Sequence, residues 1–247
     1  MSGHSKWNNI KRKKGAADAA KGKIFTKLGR EIQVAVRMGG PDPAANSSLS
    51  DAIAKAKANN MPNESIKRSI TKASSSSEGA DYEPITYEGY GPEGIALMVH
   101  ALTNNKNRTA GDVRHIFNKY GGNLGSNGSV TFLFETKGYF ALDREEYPDE
   151  DQVMMDALEG GASDVNTEDP EAYVIYTEPG AYHGVLEYLQ GKGYEFLEMR
   201  LGPVPLTTVA IKSQENINQM EAMLEAFEDN DDVQDVFDNW SRSSGEA

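Results

Sequence analysis

The 247-residue sequence predicts an α+β protein of three domains: an N-terminal helical bundle followed by two small α/β domains of the ferredoxin-like βαβ kind, one inserted in the other. Three observations carry this expectation. Apolar residues recur at helical spacing as far as residue 72, strand-like and helical runs alternate beyond residue 94, and the net charge changes sign between the two regions. Residues 1–77 hold 15 Lys and Arg against 5 Asp and Glu, a net of +10, which leaves −23 for the rest of a chain whose total is −13. Each region repels itself and attracts a partner of opposite sign, so the basic third points to a polyanion.

In the basic third, Phe25, Leu28, Ile32, Ala35 and Val36 fall on one side of a helix spanning Ile24 to Met38, and Lys23, Lys27, Arg30 and Arg37 fall opposite. Gly39-Gly40-Pro41 stops that helix. Leu49, Ile53 and Ala56 mark a second, and Pro62 suits the first turn of a third that turns Ile66 and Ile70 inward and Lys67, Arg68 and Lys72 outward. The run from Ala73 to Ala80 has neither periodicity nor apolar bulk and lies where the charge reverses, which reads as a linker.

Beyond it, strand-like runs fall at 94–103, 129–135, 138–143, 172–177, 195–201, 207–212 and 233–237, with helical runs at 109–120, 149–159, 181–190 and 217–227. The resulting division is 1–77 for the helical domain, 80–136 with 204–240 for a discontinuous α/β domain, and 137–203 for the inserted one. Two consecutive α/β domains are the alternative that the pattern leaves open.

With 38% hydrophobic residues the chain can build cores, so it is not of the disordered class. The absence of cysteine removes disulfides, thiolate metal sites and cysteine nucleophiles, and fits a reducing compartment. The first thirty residues show no apolar signal region and no run approaches the ~18 apolar residues of a membrane span. A cytoplasmic protein that does not enter membranes is expected.

The arm Lys6-Trp7-Asn8-Asn9-Ile10-Lys11-Arg12-Lys13-Lys14 sets cations beside an indole, a combination suited to neutralising phosphates and stacking on an unpaired base. The blander reading is a solvated tail with Trp7 tucked onto the bundle. Continuation of positive charge onto the first helix favours the former. No zinc-finger, helix-turn-helix, RRM or KH signature is evident, so contact with the nucleic-acid backbone is better supported than base readout. The phosphate-contacting set expected here is Lys6, Lys11, Arg12, Lys13, Lys14, Lys21, Lys23, Lys27 and Arg30, with Trp7 stacking and Lys67, Arg68 and Arg108 as secondary contacts.

Other motifs carry less. Gly121-Gly122-Asn123-Leu124-Gly125-Ser126-Asn127-Gly128 lacks the Lys-Ser/Thr of a phosphate loop and precedes a strand, so it reads as a turn. Asn104-Asn105-Lys106-Asn107-Arg108-Thr109 could hold an anion at a helix N-terminus or simply cap that helix. The acidic clusters at 145–151 and 228–232 read as solvated surface, since the second lacks the glycine and terminal Glu of a calcium loop. His4, His100, His115 and His183 show no metal-ligand spacing, and no nucleophile elbow or acid/base pair stands out. No catalytic residue, metal or cofactor is expected.

Gly3-His4-Ser5-Lys6-Trp7 followed by Gly22-Lys23-Ile24-Phe25-Thr26-Lys27 resembles the opening of the YebC/PmpR family. Asn60-Met61-Pro62, Tyr87-Glu88-Gly89-Tyr90-Gly91-Pro92, Asn107-Arg108-Thr109, Gly121-Gly122-Asn123-Leu124-Gly125 and Asp231-Asp232-Val233-Gln234 continue the resemblance in family order, while Ala20 and Asn63 stand where many relatives are basic. The resemblance implies a helical domain with two nested α/β domains, and no catalysis. It implies a DNA-binding transcriptional regulator, or alternatively an activator of translation associated with the ribosome and its RNA, as in the mitochondrial branch that activates synthesis of a cytochrome oxidase subunit. The partner expected is therefore nucleic acid, DNA or ribosomal RNA, bound by a monomer.

Overall fold

A computed structural model describes Trp7, residues 18–75 and residues 82–242. These residues form two compact units: 18–75 and 82–133 with 211–240 in one, and Trp7 with 134–210 and 241–242 in the other.

The first unit begins with three helices, α1 (Asp18–Gly39), α2 (Ser47–Ala58) and α3 (Asn63–Ser75). Leu28, Ile32, Val36, Leu49, Ala56 and Ile66, which helical periodicity places on the inner faces, form their shared core together with Met61 from the turn between α2 and α3. Gly40 ends α1 at φ 87°, a conformation that glycine adopts without a Cβ penalty. Asn46 then ties the corner. Its side chain accepts from the Leu49 amide at 3.1 Å, capping α2, and donates to the Ala35 and Gly40 carbonyls at 2.8 Å each. Helix α3 continues through Ser75 with Ala73 buried, so the first three residues of the expected linker are helical; residues 76–80 of that linker lie outside the described residues.

The same unit continues into an antiparallel sheet of β1 (Glu83–Tyr90), β2 (Ala96–Thr103), β3 (Asn123–Leu124) and β8 (Val233–Asp238), in the order β3-β1-β2-β8. Helices α4 (Lys106–Lys119) and α7 (Gln214–Asp229) accompany it. Val113, Phe117, Met220, Met223 and Phe227 are buried, with the Phe117 and Phe227 rings edge to face at 5.1 Å.

The second unit contains the antiparallel sheet β5-β6-β4-β7, formed by β4 (Phe134–Asp143), β5 (Asp164–Asn166), β6 (Ala172–Thr177) and β7 (Glu198–Pro205). Helices α5 (Glu150–Glu159) and α6 (Tyr182–Gly191) cover one face over Phe140, Leu142, Tyr173 and Ile175. Strand alternation sends Tyr139, Ala141, Ala172 and Val174 to the other face, where Trp7 packs.

Several expected strands change. The 129–135 run supplies a turn and a 3-10 segment before β4, which continues through Asp143 as one strand. The 207–212 run forms no strand, and 94–103 is interrupted at its start by the tight turn Pro92–Gly94. Strand β1 lies outside the expected set, since its Gly and Glu residues break the alternation, yet it pairs with β2 along its full length.

Candidate nucleic-acid interface

The cations expected to contact phosphates are distributed over three settings. Lys6, Lys11, Arg12, Lys13 and Lys14 lie outside the described residues. Lys21 is half-buried near the start of α1.

Lys23, Lys27 and Arg30 follow one another on the same face of α1, and all three meet the acidic turn between α7 and β8. Lys23 Nζ pairs with Asp229 Oδ1 at 3.1 Å, and Lys27 Nζ donates to the Glu228 carbonyl at 2.6 Å. Arg30 donates from Nη1 to the Asp231 carbonyl at 2.6 Å and approaches Asp232 Oδ1 at 3.4 Å, with its guanidinium 5.0 Å from the Tyr82 ring centre. Burial lowers the Lys27 ammonium below its ordinary pKa despite the nearby charges of Glu228, Asp231 and Asp235. Deeper along the same contact, Lys55 of α2 bridges Glu31 at 2.8 Å and Asp235 at 3.1 Å. Its burial would favour the neutral amine, but Asp235 and Glu31 outweigh that effect and hold the ammonium above its usual range. Burial pushes the Glu31 carboxyl up, against the opposing pull of Lys55.

Sequence reading missed these partners because they stand about 200 residues away; the clue was the charge of the 228–235 run itself, five Asp and Glu in eight residues.

Asp232 is the centre of this turn. Its buried carboxylate accepts from Arg108 Nη2 at 2.7 Å and from Thr109 Oγ1 at 2.8 Å through Oδ2. Burial alone would raise its pKa, but hydrogen bonds from Arg108 and Thr109 and the Arg108 charge hold it below the usual carboxylate range. Arg108, expected as a secondary phosphate contact, is thus engaged by an internal anion at the N-terminus of α4, where Asn105 also caps the helix.

The glycine-rich turn follows the same logic. The Glu88 carboxylate accepts from the amides of Gly128, Val130 and Thr131 at 2.7, 2.8 and 2.9 Å. Those three bonds hold Glu88 below its ordinary pKa in spite of the cost of burial. Glu93 does likewise for α7, accepting from the Lys212 and Ser213 amides and from Asn216 Nδ2 at 2.8 Å. The glycine-rich turn and the start of α7 thus each hold one of the chain's own carboxylates on backbone amides that could have received a phosphate.

Trp7 departs from the stacking role expected for it. The indole is 4% exposed, packs with Tyr139, Ala141, Val174 and Val204, and donates from Nε1 to Asp169 Oδ2 at 2.7 Å. In this arrangement its face is covered by protein, on the sheet of the second unit and not on the helical bundle.

The remaining expected contacts, Lys67 and Arg68, are exposed on the outer face of α3. With Glu64, Thr71, Lys72 and Ser75 they line a shallow open groove along that helix. Lys67 makes only a loose pair with Glu64, 3.7 Å apart with both side chains at least 73% exposed. Such a pair is worth little in water and exchanges readily for another anion. Among the described residues, no group of three or more His, Asp or Glu is placed to hold a metal ion, and no helix is long and apolar enough to cross a membrane.

Comparison with known proteins bears on what this architecture is. Residues 5–76 match the family described as "TACO1/YebC protein N-terminal domain", and residues 82–240 match "TACO1/YebC second and third domain". The chain belongs to the TACO1/YebC family. A chain of Ruminiclostridium cellulolyticum is 53% identical over 242 residues, covering 98% of this chain and 97% of that one; one of Persephonella marina is 51% identical over 243 residues with the same coverage. Both are called "Probable transcriptional regulatory protein". Among solved structures, a conserved hypothetical protein of Aquifex aeolicus aligns with a TM-score of 0.83 at 43% identity, over 92% of this chain and 93% of that one. That likeness fits the α+β fold expected from the sequence.

Proposed function

We propose that this TACO1/YebC-family chain is a non-enzymatic, nucleic-acid-binding regulator of gene expression that contacts phosphates through its N-terminal module. The observation that carries the reading is the outer face of α3. Lys67, Arg68 and Lys72 are exposed there together with Thr71 and Ser75, while Lys23, Lys27 and Arg30 of α1 meet the acidic turn 228–231. A helix face of this composition contacts backbone phosphates. The names of the close relatives support regulation of transcription as the outcome, with DNA as the polyanion. The basic arm from Lys6 to Lys14 extends the same charge.

The composition of the α3 face also favours a second reading. Its exposed charges and hydroxyls lie along one helix, which also suits contact with the phosphates and 2′-hydroxyls of a folded RNA, as a ribosome-associated activator of translation requires.

Replacing Lys67, Arg68 and Lys72 together with Gln tests the site. Fluorescence anisotropy with a DNA duplex and with a folded RNA should show weaker binding, and the slope of log K against log salt should flatten by about 0.9 for each duplex phosphate that is no longer neutralised. Unchanged affinity and slope would remove α3 from the interface. Crosslinking in growing cells followed by sequencing of the attached nucleic acid separates the two readings: discrete promoter DNA supports transcription, and discrete positions in ribosomal RNA support translation.

A further inference from the structure

The acidic turn after α7 repeats, within the protein, what a nucleic-acid strand would offer to α1. Asp229 and the carbonyls of Glu228 and Asp231 meet Lys23, Lys27 and Arg30 in succession, so anionic and carbonyl oxygens track the helix face one turn at a time. The contact is graded. At its outer end the Lys23–Asp229 pair is 55% and 70% exposed, whereas Arg30 and Asp232 at the inner end are 17% and 7% exposed. Exposed ion pairs are weak and screened by salt, and buried ones resist exchange because separating them leaves a desolvated charge. The outer end can therefore yield to a competing polyanion while Arg30, Asp232, Lys55 and Asp235 keep the turn attached.

We propose that the turn 228–231 is an intramolecular competitor, a displaceable acidic clamp that occupies Lys23 and Lys27 until a nucleic-acid strand replaces it. The proposal rests on the reading of this module as a phosphate-binding surface and adds the means by which that surface is kept from weak, non-specific partners. A strand with few phosphates in reach cannot outcompete the clamp. One that already engages α3 and the arm gains Lys23 and Lys27 as additional contacts. The clamp thus raises the threshold for binding without changing which groups bind.

The test compares the full-length protein with the Glu228→Gln, Asp229→Asn, Asp231→Asn variant, which removes the clamp's exposed charges and leaves Asp232 and Asp235 in place. A second variant, Glu178→Gln with Glu221→Gln and Glu225→Gln, removes the same number of exposed acids elsewhere and corrects for total charge. Binding to a DNA duplex and to a folded RNA is measured by anisotropy across a salt series. The clamp variant should bind roughly two- to tenfold more tightly than the charge control, as expected for releasing the exposed Lys23–Asp229 pair and removing the Glu228 and Asp231 charges beside Lys27. Adding Lys23→Gln and Lys27→Gln should then cost more affinity in the clamp variant than in the wild type, because only there have both lysines lost the acid charges that a strand must otherwise displace.

Equal affinity of the clamp variant and the charge control overturns the clamp while leaving the functional reading intact. So does an equal cost of the lysine substitutions in both backgrounds. Absence of binding to either nucleic acid by all proteins, at low salt, overturns the functional reading and the clamp with it.

Discussion

Removing the Asp232 carboxylate should destabilise the first unit by about 3–4 kcal/mol, more than a typical single substitution. The magnitude follows from what Asp232→Ala leaves behind. The Arg108 bond is charge-assisted but half-exposed, so its loss contributes about 1 kcal/mol after allowance for solvent screening. Thr109 and Thr103 keep a hydroxyl–hydroxyl contact at 2.7 Å, and Thr109 keeps the Asn105 carbonyl at 3.1 Å, so the buried threonine pair is not wholly orphaned; loss of their shared acceptor costs roughly 1 kcal/mol. Arg30 is 17% exposed and loses its carboxylate while retaining the Asp231 carbonyl, and the cavity beside it adds a further ~1–2 kcal/mol. Asp232→Asn preserves shape and one acceptor, and should cost about half as much. Urea unfolding of both variants, followed by circular dichroism and by hydrogen exchange at the amides of 96–103 and 233–238, measures the effect and assigns it to the first unit. Exchange faster in both units equally, or an Asp232→Ala cost below ~1 kcal/mol, would refute the view that this carboxylate joins α1, α4 and the last strand. Because Asp232 titrates below its ordinary pKa, its contribution is present above about pH 4 and should disappear as the pH falls through the lowered value.

Three further outcomes are expected. Gly138→Ala should cost about 1–3 kcal/mol in thermal or urea unfolding of the second unit, because the new methyl would collide with Thr177 Oγ1 and lie 2.7 Å from the Tyr182 ring; a neutral effect would mean that β4 and β6 separate easily there. Burial lowers the His100 pKa below 6.5 against the pull of Asp235, so the unfolded chain binds the proton more readily and stability should rise with pH through the window below 6.5; His100→Gln should flatten that rise in unfolding experiments, and an unchanged pH profile would contradict it. Trp7→Ala should cost roughly 3–5 kcal/mol of second-unit stability and remove a fluorophore shielded from acrylamide, whereas a Trp7 quenched as freely as a model indole would contradict its burial against Tyr139.

Much of the architecture was readable from the residues. The 3.6-residue stripe of Leu28, Ile32, Ala35 and Val36 located α1, and Ile217, Met220, Leu224 and Phe227 located α7, because burial on one side of a helix leaves a periodic trace. Strands with a hidden face were also visible at 138–143 and 172–177. Strand β1 was not, because Glu88 and Gly89 serve the glycine-rich turn and the Phe117 ring respectively, and those tasks override alternation. The candidate interface was legible only as charge. Sequence shows which side of α1 carries Lys23, Lys27 and Arg30, but not that the chain returns to bring Asp229, Asp231 and Asp232 onto it. Nor could the indole of Trp7 be assigned to Asp169, 162 residues away, and the sheet beside it, since an aromatic beside lysines looks the same whether it stacks on a base or anchors an arm.

The pairing of β8 with β2 sets an order on how the chain can be made. Thr103 and Asp232 meet across 129 residues and Ala96 and Asn239 across 143, whereas the four strands of the second sheet all lie within 134–205. On a ribosome, the second unit's own strands are complete while the first sheet still lacks its edge and the N-terminus of α4 still lacks its anion. Loop closure over so many residues is slow, and the intervening unit, once folded, shortens the effective loop by bringing its ends together. Premature termination before residue 232 should thus leave a chain with one finished unit and one exposed strand, the form most prone to pair with a neighbour and be degraded.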